Sequence, residues 1–448
     1  MRKLKKKVVK RKLSIQKMFN ITSFTFILAC CIFYGSRFVT LHLENRQIEE
    51  EPLTFTETII ENNIDNDNFK SKNKEYYFEG KEINNYIKYS NLNWRIIRIN
   101  SDNTITAILE NSITSLADNT SNFEKSMINY WLNNQNEEYT GILENSLNKT
   151  DDYLTYTNTC NDILVDTNNI TCKEKTQDIL ITIPSINDYI STGGESGFMN
   201  NNEYYYLINS DNNNNLLYVD KEGQVNISDK SDILGIKPVI TFKNTIKLIS
   251  GNGSIDDPYI IEEKNGLFGS YVKLGNDIWR IYSIDDDNVK LSLDTYLTIN
   301  NEEVKYKYST TGYYHNDTKS GSLAYYLKNT YIPTLPYSKI IKETSYSNGI
   351  YSNNTNFDYK EVLKTTIDTK MTVLSIGNIF LNPINTNYYV STGISENSNL
   401  IYVMSNDFKV YTKIGATNLK IVPVISINKN LLEEGEGTKE NPLEVNYE

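Results

Sequence analysis

One stretch of this chain is written twice, and that constrains its fold more than any other feature. Residues 85–99 read NYIKYSNLNWRIIRI and residues 270–284 read SYVKLGNDIWRIYSI, so Tyr86, Lys88, Trp94, Arg95 and Ile96 return as Tyr271, Lys273, Trp279, Arg280 and Ile281, 185 positions on. LGIKPVITF from Leu234 returns as LKIVPVISI from Leu419 at the same offset, which pairs Pro238 with Pro423. GNGSIDDPYII from Gly251 returns as GEGTKENPLEV from Gly435, at 184. Three matches in one order and at nearly one spacing define the repeating unit. The expected organisation is a basic tail (1–17), a transmembrane helix (18–41), a stalk (42–80) and two homologous modules (81–264 and 265–448).

The repeats also decide what the Gly-x-Gly-Ser turn at Gly251 is for. A phosphate-binding loop joins a strand to a helix, whose N-terminus supplies the anion site. Here both copies run from the glycines through Pro258 or Pro442 into an extended stretch, so the glycines serve a tight turn and the prolines return the chain to a sheet edge. The motif closes a module.

Within each module the pattern is mostly β. WRIIRINSDNTITAIL breaks at NSDN and WRIYSIDDDNVKLSL breaks at DDDN, each a hairpin signal. SNFEKSMINYWLNN places Phe123, Met127, Tyr130 and Trp131 on one helical face, with Ser121 and Glu124 at capping-box spacing. Its counterpart GSLAYYLKNTYIP places Leu323, Tyr326 and Leu327 alike, and a second short helix is expected at PSINDYI and, in the other copy, at SIGNIFL. The expected fold class is therefore α+β: a single N-terminal transmembrane helix, then two tandem, mostly antiparallel β modules with one or two short helices each. YISTG at Tyr189 and YVSTG at Tyr389 fall out of register with the repeat and count as coincidence.

Charge divides the chain. The first 17 residues hold nine Lys or Arg and no acid, which leaves −20 for the remainder of a chain whose net charge is −11. An acidic body lacks the basic footprint that nucleic acid requires. Residues 18–35 are uncharged and mostly apolar, about one membrane span, and basic residues before them put the N-terminus in the cytoplasm and the body outside. Two other readings stay open: lipid attachment at Cys30 in ILAC, and a cleaved signal peptide. All three put the body outside; the transmembrane reading adds the lipid bilayer as partner through the N-terminal helix and the plasma membrane as location.

Cys160 and Cys172 are the only cysteines beyond that segment, and an exported compartment lets them pair as a disulfide. Histidine is confined to His42 and His315, so no Ser/His/Asp constellation is credible, and no Cys-x-x-Cys motif is present. Asp211, Asn213, Asn215 and Glu222 imitate an EF-hand loop, but Leu216 stands where that loop requires Gly. No catalytic residue, metal or cofactor is nominated. The residues common to both copies, Trp94 and Trp279, Arg95 and Arg280, Lys88 and Lys273, and Pro238 and Pro423, read as structural anchors of the scaffold, with Trp94 in the core and Arg95 paired with a buried carboxylate. With alternating apolar residues on both faces of residues 94–99, the sheet is expected to be covered on each side.

Taken together, the Y-V/I-K-Y…W-R-I-I opening, the S-I-x-D-Y helix, the K-P-V-I strand and the G-x-G-S-x-x-D-P-Y close resemble uncharacterised tandem exported surface modules of AT-rich Gram-positive bacteria and their wall-less relatives. The resemblance covers nearly all of residues 81–448. More distantly, the modules resemble the C-type-lectin-like fold of the formylglycine-generating enzyme type, which implies paired first and last strands with a long loop region between them. The calcium-binding lectin signatures are absent and the second copy has no cysteine, so neither activity is carried over. The resemblance implies a membrane-tethered surface protein with two binding or adhesion modules, whose exposed Tyr and Asn would meet a glycan or protein ligand. A structural component of the envelope and a carboxylate-dependent hydrolase are the alternatives.

Overall fold

The structure is a computed structural model that describes residues 25–37, 53–118, 120–160, 175–211, 213, 215–262, 266–308, 321–352, 356–382, 387–394, 400–414 and 418–447. The chain divides into two compact units, Met1–Leu53 and Thr54–Glu448. In the first, a helix covers 25–37. Among the described residues no helix is long and apolar enough to cross a membrane. The transmembrane helix expected at 18–41 is corrected on that finding: an uncharged apolar stretch is necessary for a span, but within the described residues it does not form a helix of spanning length.

The second unit is β-rich and repeats one topology. In the first copy the opening strand Tyr86–Tyr89 pairs antiparallel with Leu92–Ile99, followed in sheet order by Ile105–Leu109, Val239–Phe242 and Ile181–Thr182. The second copy orders Tyr271–Leu274, Asp277–Ile284, Asn288–Leu293, Pro423–Asn428 and Met371–Val373 in the same way. Each copy adds a second five-stranded sheet, and again the orders agree. Tyr205–Ser210 lies parallel to Leu234–Ile236 in one, and Tyr388–Gly393 parallel to Asn418–Lys420 in the other.

The Gly-x-Gly turn closes each unit as its spacing requires. Gly253 (φ +82°) and Gly437 (φ +69°) sit in left-handed backbone that L side chains resist. Their carbonyls accept the amides that begin the opening strands, Tyr86 N at 2.8 Å and Tyr271 N at 2.9 Å. The chain then returns as Tyr259–Ile260, parallel to the opening strand, with Val272 and Leu443 making the same parallel pairing in the second copy. First and last strands therefore pair in both.

Burial follows the alternation. Trp94, Ile96 and Ile97 are fully buried, on both faces of one strand; in the second copy Trp279 and Ile281 are fully buried on one face and Tyr282 is buried on the other. One apolar core lies within the second copy; the other runs from the first copy into the second, where it takes in Tyr359, Ile376, Phe380, Met404 and Phe408. Backbone bonds cross the same seam: Phe380 N donates to Ile113 O (2.7 Å), Tyr204 N to Asp407 O (2.8 Å) and Val410 N to Ile233 O (2.9 Å). Trp131, fully buried on the first copy's helix, donates its indole N–H to Gly377 O at 2.7 Å. The copies share a core.

Three local expectations are revised. Residues 54–80, inside the span expected to be a stalk, are folded: Thr54 caps the helix Phe55–Asn63 in a capping box with Glu57, and Phe55 and Ile59, one turn apart, are buried. The hairpin Phe69–Lys72 with Glu75–Phe78 then adds to the first sheet through Tyr76 and Tyr77. In the first copy's helix the cap is Ser126, whose Oγ accepts Asn129 N at 2.9 Å, and not Ser121; the buried face is Ile128, Trp131 and Leu132. PSINDYI does form the helix Ile186–Ser191, but SIGNIFL is a turn, because Gly377 at φ +88° breaks the helical backbone.

Candidate functional site

Where the two first sheets approach each other, a cleft of about 640 Å³ opens between the copies. One wall carries Lys88, Asn91, Asn93, Glu110 and Asn111 from the first copy. Asp256 of the first closing turn adds to that side. Tyr271, Arg280, Asp294 and Asn382 face them from the second copy, with Lys439 and Glu440 from its closing turn. Amides, carboxylates and cations thus meet in one polar concavity, and both closing turns reach its rim.

Repeat-equivalent residues build the two walls. Glu110 ends the first copy's third strand, its amide on Asn93 O at 3.0 Å; Asp294 does so in the second, its amide on Ile278 O at 2.9 Å. Behind each acid stands an arginine over a tyrosine ring. Arg95 lies 4.0 Å from the Tyr86 ring centroid and 4.6 Å from that of Phe198. It donates to Asn85 Oδ1 and, at 2.9 Å, to Tyr86 Oη, which donates in turn to Glu110 Oε1 at 3.0 Å. Burial pushes the Tyr86 phenol up to about 12, which keeps it a donor.

The expected pairing of Arg95 with a buried carboxylate is therefore corrected. Amide and phenol oxygens face the guanidinium, aromatic rings cover it, and the carboxylate stands one hydrogen bond further away. Arg280 differs again. Its Nε donates to Gly269 O (2.9 Å), Nη1 to Leu381 O (2.8 Å) and Nη2 to Asn91 O (2.9 Å), so its fork ties main-chain carbonyls of both copies. Asp294, the nearby acid, pairs instead with Lys439 at 2.8 Å.

A second polar cluster lies behind the first-copy wall. Lys237 and Glu203 are both buried, with Nζ and Oε2 4.0 Å apart, and Glu203 accepts Ser112 N at 2.8 Å and Ser112 Oγ at 3.0 Å. Burial lowers the Lys237 ammonium to about 8 and raises the Glu203 carboxyl. Val422 stands where Lys237 would repeat, so the pair belongs to the first copy alone. A lysine inside an otherwise apolar strand motif was the sequence signal for it.

The other site residues fall in different places. Trp94 and Trp279 lie in the cores. Pro238 O accepts Leu109 N at 2.8 Å, and Pro423 starts the strand paired with Val373. Cys160 ends the strand Thr157–Cys160, whereas Cys172, His42 and His315 lie outside the described residues. Among the described residues the largely exposed tyrosines are Tyr34 and Tyr156. Tyrosine fills the cores, with its hydroxyl on backbone oxygens such as Asp232 O for Tyr206. No protein-family model matches the chain, and neither does any curated protein or solved structure.

Proposed function

We infer that this chain is a binding protein that works outside a bacterial plasma membrane, and that its two copies act as one body around a single composite site. The observation that carries the reading is the inter-copy cleft, walled by repeat-equivalent acids and by amide side chains from both halves. Its polar lining suits a ligand rich in hydroxyl and amide groups, such as a glycan, since convergent polar groups in a concavity fix and select such molecules. Arg280 supports the same reading, because its three carbonyl bonds hold the two walls at a fixed separation. The placement outside rests on the basic first 17 residues followed by an uncharged apolar run, a pattern that exports the body as a signal peptide or as a lipid-attachment segment ending at Cys30. Paired first and last strands support the C-type-lectin-like likeness of each module.

The test is a glycan and peptide array probed with the full chain, alongside Asn93→Trp, which fills the cleft from an exposed position. Saturable binding that the tryptophan abolishes is expected. Binding unaffected by it places recognition elsewhere, and no binding at all favours an envelope component without a soluble ligand. Protease treatment of intact cells checks the placement: digestion of the body is expected.

A further inference from the structure

Comparing the copies singles out one cation in the cleft. Lys88 and Lys273 are the same position of the repeat, on the opening strand. Lys273 is neutralised within its own module, its Nζ 3.1 Å from Glu444 Oε1. Glu444 belongs to the closing strand, and by the closing-turn register its counterpart in the first copy is Ile260, paired with Lys88 in the parallel ladder. The first copy therefore lacks the carboxylate that answers this lysine in the second. Among the described residues Lys88 makes no side-chain hydrogen bond or ion pair; it is half-buried and lines the cleft with Arg280. Burial lowers its ammonium and the positive charge of Arg280 lowers it further, against a smaller opposing pull from Glu440 and Glu436 of the second copy's closing turn, neither of which forms an ion pair with it. Arg280 offers no relief, because its own donors are taken up by carbonyls.

A half-buried ammonium beside a second cation, with its in-module partner replaced by isoleucine, is a place where an incoming anion gains charge-assisted hydrogen bonds. We propose that Lys88 recognises an anionic group, a carboxylate or a phosphate, on a hydroxyl-rich ligand held in the cleft. The proposal rests on the cleft being the binding site. It gives that site a charge requirement: the ligand supplies the carboxylate that Glu444 supplies in the second copy.

The experiment is isothermal titration of the full chain with two acidic probes and their neutral counterparts. One is a uronic acid oligosaccharide against its carboxyl-reduced form; the other is a polyol phosphate oligomer against the free polyol. At least one acidic probe is expected to bind about tenfold or more tightly than its counterpart, with affinity falling as salt rises. Lys88→Gln removes that difference, and so does Ile260→Glu, which restores the in-module partner and leaves the lysine in place; Lys273→Gln leaves it intact. The two acidic arms separate carboxylate from phosphate. Equal binding of acidic and neutral probes, abolished by Asn93→Trp, overturns the role of Lys88 and leaves the cleft standing as a site. Preference for the acidic probe that survives both Lys88→Gln and Ile260→Glu overturns it as well. Absence of all binding overturns both.

Discussion

Arg95 and Arg280 start from the same tripeptide, Trp-Arg-Ile, and end in different environments. The first is closed in by Tyr86 and Phe198 and bonds to side chains of its own module. The second sits over Tyr271 and spends its donors on main-chain oxygens, one of them Asn91 O across the seam. What the pair teaches is that duplication preserved strands and turns, while residues facing the other copy were free to take new partners. Lys88, in the cleft, and Lys273, paired within its own module, diverge on the same principle.

The comparison breaks most severely at Trp131. Replacing it with alanine empties a fully buried indole site and orphans Gly377 O, so a loss of about 3–5 kcal/mol is expected. Because the core is shared, chemical denaturation should show both copies losing structure in one transition. Two separate transitions, with only the first displaced, would mean the copies fold independently.

The buried pair unique to the first copy sharpens the comparison next. Glu203→Ala leaves Lys237 without its counter-charge and is expected to destabilise by about 3 kcal/mol, whereas the double change with Lys237→Met is expected to be near neutral. The pH dependence has a definite sign. Lys237 in the folded protein holds its proton only to about pH 8, against an ordinary value of 10.5, so in that window the unfolded chain binds more protons. Relative to Lys237→Met, wild-type stability should therefore rise from about pH 8 to 10.5; a fall over that window would refute the burial of the ammonium. The smallest effect concerns the closing turns. Gly253→Ala puts a methyl 2.5 Å from the buried Tyr259 ring, while Gly437→Ala meets the side chain of Ser270 at 2.7 Å. Both carry left-handed strain of about 1–2 kcal/mol, and the first should lower the melting temperature more, because a buried ring yields less than a hydroxyl.

Local order was legible in the sequence because it is written locally. The NSDN and DDDN hairpins, the Gly-x-Gly closes and the short helix at PSINDYI are set by residues within a few positions of one another. Failures occurred where a contact partner lies far along the chain or where one residue overrides a pattern. Phe55, Phe69 and Phe78 look like isolated aromatics in a polar linker until Tyr259 and the Leu92–Ile99 strand are placed beside them. Gly377 alone turns a plausible helix into a bend. The cleft could not be read at all, since its walls are separated by nearly a whole repeat; only the Ile260 to Glu444 difference was visible in advance, and it meant nothing before the ladder placed it beside Lys88.

The shared core has a consequence for synthesis. Chains are made from the N-terminus, so the first repeat is complete well before Gly377, Phe380 and Val410 exist to cover Trp131, Ile113 and Ile233. At ribosomal rates of about 5–20 residues per second, that apolar flank waits on the order of ten seconds for its mate. During that interval the nascent half presents a sticky surface, and successful maturation depends on keeping it from other half-made copies.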